Sequence, residues 1–179
     1  MFIGSFRGTK SLFPKNLPLS FEGEGDKGGE VDKQCQGGNA KMVVTKRIGL
    51  QTKGQCDIID ITSQVERELA ETNINSGIVT IFVSGSTAGI TTIEFESGLL
   101  SDFQSMWERI VPKNIPYDHD RRWGDGNGYS HVRASLLGAS LVVPFNDKRL
   151  TLGTWQQIVL VDFDNRPRSR QLIVQIIGE

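Results

Sequence analysis

Histidine, cysteine and an excess of either charge are what this 179-residue chain lacks: it has two histidines, two cysteines, and 20 basic residues against 21 acidic ones. Each scarcity excludes something. Cys35 and Cys56 are too few for a disulfide framework or a four-thiolate metal centre, and they suit reduced thiols in a cytoplasmic protein. A formal net charge of −1 supplies no broad field to gather nucleic acid or a membrane surface. No run approaches the roughly 20 apolar residues that span a bilayer. The opening MFIGSFRGTKSLFPKNLPLSF lacks the apolar stretch and small-residue cleavage site expected of a secretory signal. Phosphate-loop, dinucleotide, zinc-protease, zinc-finger, EF-hand and nucleophile-elbow spacings are all missing.

What is present divides near Met42. Residues 1–41, with SFEGEGDKGGEVDKQCQGGNA, are rich in glycine and charge and show neither a helical nor a strand period. Such a segment is expected to be disordered, either as a natural extension or as a mis-assigned start before a true initiator at Met42, the reading preferred here. Residues 42–179 then form one folded domain.

Within it, MVVTKRIGLQT and CDIIDI read as strands joined by a turn at Lys53-Gly54. Ser63 and Glu66 form a capping-box pattern for a helix ending near Asn73. SGIVTIFVSG reads as a continuous apolar strand covered on both sides. Leu99, Phe103, Met106, Trp107 and Ile110 fall at helical spacing before Pro112. HVRASLLG suggests a short helix stopped by Gly138, and the remainder reads as a β-meander. The expected class is α+β: mostly antiparallel, sandwich-like sheet with two main helices.

Both histidines, His119 and His131, lie in NIPYDHDRRWGDGNGYSH. They can converge on a metal, with Asp118, Asp120 or Asp125 as oxygen ligands or supports, or work as acid and base near neutral pH. The plainer reading is a polar loop with local hydrogen bonds. Ser86 and Thr87, in SGSTAG after an apolar strand, can offer hydroxyls and N–H groups to an anion, or simply make a tight turn. Glu94 in TIEFE is either a site acid or a solvent-facing residue of an alternating strand, and alternation favours the latter. Trp155 in LGTWQQ reads as a packed strand residue, and RPRSR as a solvated turn in which an arginine can bind an anion.

In combination, STAGITTIE, YDH followed by GNGYSHVRASLLGASLVVPF, and LTLGTWQQIVLVDFDNRPRSRQLIVQIIGE resemble the YjbQ-like family, also called the secondary thiamine-phosphate synthase family, from about Met42 to Glu179. The resemblance implies a small homotrimeric α+β protein with pockets near subunit boundaries. It implies His119, His131 and Glu94 as catalytic residues, with Ser86, Thr87, Asn127 and Trp155 on the substrate side. It also implies activity joining hydroxymethylpyrimidine diphosphate to thiazole phosphate. Members carry a further histidine where Gly85 stands here, so a three-histidine set is reduced to two. That tilts the site toward oxygen ligands for a divalent metal (Mg²⁺ or Zn²⁺ on His119 and His131), or toward phosphate held by backbone and hydroxyls. Two functions compete: a transferase acting on a small phosphorylated molecule, and a trimeric module that binds a metabolite or metal without turnover. A purely structural scaffold has no need of GDGNG between two histidines.

Overall fold

The computed structural model describes Met42–Glu179; the expectations for residues 1–41, Cys35 included, lie outside the described residues. Eight strands and four helices follow one another along this span: β1 (Met42–Thr52), β2 (Asp57–Asp60), α1 (Thr62–Ala70), β3 (Gly77–Val83), β4 (Ala88–Ile93), α2 (Ser97–Ile110), α3 (Asp118–Trp123), α4 (Gly128–Leu137), β5 (Ser140–Asn146), β6 (Arg149–Leu150), β7 (Gln157–Asp162) and β8 (Arg168–Gly178). All pairings are antiparallel, in a five-stranded sheet ordered β1-β8-β3-β5-β6 and a three-stranded sheet ordered β2-β7-β4.

The alternation of each strand determines how the layers pack. Val79, Ile81 and Val83 of β3, Leu172, Val174 and Ile176 of β8, and Val143 and Phe145 of β5 face inward from the large sheet. They meet Ile90 of β4 and Ile158 and Leu160 of β7, with Val65 and Leu69 of α1 closing the same core. Each fully buried side chain of this kind contributes about 1.5–3 kcal/mol. The opposite face of β7 buries Val159 and Val161, and with Phe163 they pack against Trp107 of α2 and Tyr129 and Ala134 of α4. β7 is therefore buried on both faces, which is why IVLV carries no polar alternation.

Several local expectations are corrected. β1 and β2 are strands, but each pairs in a different sheet, and their connection runs through three consecutive left-handed residues, Gly54, Gln55 and Cys56. The Ser63–Glu66 capping box does not form; Asp60 Oδ1 accepts instead from the Thr62 N–H at 2.9 Å and hydroxyl at 2.6 Å, and the helix ends at Ala70. β3 is covered on one face only, because Ile78 and Phe82 are each 39% exposed on the other. The two main helices, α1 and α2, and the short one, α4, are present as expected, and α3 is added to them.

Two devices hold α4 in place. Gly89 lets the Gly138 carbonyl come within 2.6 Å of where a Cβ would sit, and that carbonyl accepts from Ile90 N–H at 3.0 Å. Arg133, fully buried in α4, donates to the Val111 carbonyl through Nε at 3.0 Å and Nη2 at 2.6 Å, tying α4 to the end of α2. The C-terminal end of α4 is thereby laid along β4, beside the turn that precedes it.

Candidate metal and phosphate site

The stretch expected as a polar loop is largely helical. DHDRRW forms α3, ended by Gly124 in the left-handed conformation that glycine adopts freely, and His131 sits in the first turn of α4 rather than opening it. Gly128 makes the close α3–α4 crossing possible: a Cβ there would lie 2.6 Å from Tyr117 Cβ and 3.1 Å from Asp120 Oδ1. The Gly128 N–H donates to that same oxygen at 2.8 Å. As a result the two imidazoles stack, with ring centroids 4.4 Å apart and planes tilted by 33°.

His119 Nδ1 faces two carboxylates, Asp125 Oδ1 at 3.3 Å and Asp120 Oδ1 at 3.7 Å. The nitrogen is enclosed and makes no hydrogen bond of acceptable geometry among the described residues. The three residues offer ligand atoms within 4.8 Å of one another. Atoms about 2 Å from a shared ion stand roughly 3–3.5 Å apart, so this set of one imidazole nitrogen and two carboxylate oxygens can hold a divalent cation after a small inward shift of the Asp120 carboxylate. The buried Asn127 amide, oriented with its nitrogen toward Asp125, donates to both carboxylate oxygens at 3.2 Å. His131 stands outside this trio. Burial, followed by the neighbouring His119 ring, holds its imidazole below the ordinary value, so it is neutral at neutral pH.

His131 also lines an open pocket of about 360 Å³ at the seam between α4 and the β3–β4 turn, with Gly85, Ser86, Ala88 and Ser135. Thr87, expected beside Ser86 as a ligand contact, is occupied by the fold: its hydroxyl donates to Asp164 Oδ2 at 2.9 Å and accepts from Arg170 Nη2 at 2.7 Å. Glu94 does not join the histidines. It is exposed past the far end of β4, separated from Thr87 by a distance of roughly 20 Å along the strand. There it lines a different depression with Asp60, Glu96 and Trp155. Trp155 lies between β6 and β7 and is 69% exposed, not packed. Asp118 turns away and pairs with Arg121.

Beneath the turn lies an ionic cluster that the sequence reading missed. Asp162, fully buried, accepts from Arg170 Nε and Nη2, each at 2.7 Å, and from the Thr52 hydroxyl at 2.6 Å. It thus clasps β7 to β1 and β8 across the two sheets. Asp164 accepts from Arg168 Nε at 2.8 Å. The signal was present in DFD and RPRSR, where acids and arginines both flank a turn.

Comparison with known proteins agrees with this architecture. Residues 46–179 match the family model described as UPF0047 protein YjbQ-like. The chain belongs to the YjbQ-like UPF0047 family. A UPF0047 protein of Methanothermobacter thermautotrophicus is 41% identical over 76% of this chain and 94% of its own length. YugU of Bacillus subtilis is 36% identical over 74% of this chain and 98% of its own. Among solved structures, a YbjQ-like protein of unknown function from Sulfolobus solfataricus is 35% identical with a TM-score of 0.74, covering 78% of this chain and all of that one.

Proposed function

We propose that the seam between the β3–β4 turn and the α3–α4 pair is a cation-assisted site for a small phosphorylated molecule. The observation that carries this reading is the enclosed, unpartnered His119 Nδ1 between two carboxylates, one stacked ring away from the open pocket at His131. His119, Asp120 and Asp125 would hold a Zn²⁺ or Mg²⁺, which supplies Lewis-acid charge toward phosphate oxygens when bound. The chain's own groups do the rest. Ser86 offers a hydroxyl to the phosphoryl oxygens, neutral His131 accepts or returns a proton at the pocket wall, and Asn127 fixes the Asp125 carboxylate.

The thiamine-phosphate synthase reaction implied by the family resemblance falls in this class, with pyrophosphate as the leaving group. A binding module without turnover is the second reading, and the position of Glu94 favours it, since the expected acid is absent from the histidine pocket of this chain. The setting we propose is a cytoplasmic homotrimer.

The decisive experiment measures melting temperature, Zn²⁺ affinity and pyrophosphate release from candidate diphosphates on His119→Ala and His131→Ala. Expected is loss of Zn²⁺ binding in His119→Ala and loss of ligand binding or turnover in His131→Ala, both with little thermal change. Destabilisation of about 1–3 kcal/mol with unchanged affinities would identify merely structural histidines.

A further inference from the structure

The Arg170 guanidinium has more donors than the fold uses. Nε and Nη2 are committed to the two Asp162 oxygens and to the Thr87 hydroxyl, all at 2.7 Å. Nη1 donates to nothing among the described residues, although the side chain is only 9% exposed. What Nη1 does meet is Gly85: a Cβ added there would lie 2.8 Å from Nη1 and 3.8 Å from Cζ. Gly85 lies outside the left-handed region, so its backbone conformation does not call for glycine. The bare Cα is needed for approach, because any side chain at position 85 would displace a guanidinium already fixed by a fully buried carboxylate. Gly85 and Ser86 in turn line the pocket that His131 closes. The Ser86 backbone N–H is likewise unused by the fold among the described residues.

We infer that Arg170, which does not itself line the pocket but whose Nη1 abuts the lining residue Gly85, is the residue that recognises an anionic phosphoryl group at that edge of the pocket, with Ser86 completing the cradle. This deepens the proposed function and rests on its reading of the His131 pocket. A guanidinium carries donors only, so the natural complement of a spare Nη1 is an oxygen with lone pairs and negative charge. Its other edge is held rigidly, which means the donor is positioned before the ligand arrives. A structural clasp between the sheets needs only Nε and Nη2; Nη1 is left over with access to solvent, beside a wall residue that carries no side chain, where a ligand oxygen can take the place of water.

The test uses the full chain and sodium pyrophosphate as probe, by calorimetric titration. Wild type should bind, and the guanidinium ¹⁵N signals of Arg170 should shift on binding, a readout that requires no variant. Gly85→Ala and Arg170→Lys should each bind pyrophosphate more weakly by about tenfold or more, while Zn²⁺ affinity stays unchanged. Pyrophosphate bound equally by folded Gly85→Ala, or bound by wild type with no movement of the Arg170 signals, would overturn this assignment and leave the cation site standing. If wild type takes up Zn²⁺ but no pyrophosphate at about 10 mM, the anion half of the proposed function falls with it.

Discussion

Asp164 shows at the scale of one residue how this fold holds charge. It is 1% exposed, yet it remains a carboxylate. Burial pushes its ionisation upward, but hydrogen bonds from Arg168 and Thr87 and the nearby positive charges of Arg168 and Arg170 outweigh that, and the net direction is below the usual 3.8. A carboxyl depressed in the folded state binds fewer protons there than in the unfolded chain. Its contribution is therefore whole above pH 3.8, declines as pH falls below that, and is gone beneath the depressed native value. Asp164→Asn should cost roughly 2 kcal/mol at neutral pH, less than a fully buried pair because Arg168 is partly exposed. Urea denaturation across an acid pH series should then show a shallower loss of stability for the variant; identical slopes would mean that Asp164 titrates alike in both states. Residues of this kind are hard to read from sequence. DFD names two acids, but only the crossing of β7 over β1 and β8 decides that they meet arginines rather than water.

Among the elements, α3 is the one that builds the site and the one that the sequence concealed. DHDRRW has no apolar period, so nothing in it resembles a helix that packs. Its two acids near the N-terminus, its arginines near the C-terminus and a left-handed Gly124 beyond are a helix's end signals without a helix's middle. The fold supplies what local propensity does not, by seating Tyr117 and Asp120 against Gly128 of α4. Gly128→Ala should therefore wedge the two helices apart. We expect a loss of about 1–3 kcal/mol from overpacking, together with weaker Zn²⁺ binding as Asp120 is pushed away from His119 and Asp125. Calorimetric melting and metal titration on the same variant check this, and a melting temperature and Zn²⁺ affinity both equal to wild type would show that the contact is slack. α2 and the strands, by contrast, were legible because a repeated apolar face is written directly into their spacing.

For the whole molecule, the unexplained feature is the outer face of the large sheet. Val43 is 59% exposed, Val142 52%, and Ile78 and Phe82 39% each; by register Val43 and Ile78 both flank Ile177, and Phe82 lies beside Ile173. SGIVTIFVSG reads as a strand covered on both sides, yet among the described residues only one side is covered. Burying the other against further copies of the chain reconciles the two, in line with the proposed homotrimer. Phe82→Glu places a charge on β3, the middle strand of that sheet, and should yield a monomer by sedimentation velocity at micromolar concentration. A wild-type protein that is already monomeric, or a variant assembled like wild type, would remove this face from consideration.

The sequence by itself determined the local elements: the alternating strands, the apolar face of α2, the stop at Gly138, and the glycine-rich stretch with a histidine at each end. These follow from periods of two and 3.6 residues, which every local segment carries within itself. Only the tertiary structure decided which strands pair. β1 and β2, neighbours in sequence, went to separate sheets, and DFD came to lie beneath the Ser86 turn. Glu94 and His131, both expected in one site, were parted by the length of β4, because a strand's direction fixes its ends far apart whatever residues it bears. His119 found Asp125 because Gly124 and Gly126 bend the chain back with positive φ, a path that spacing alone does not specify.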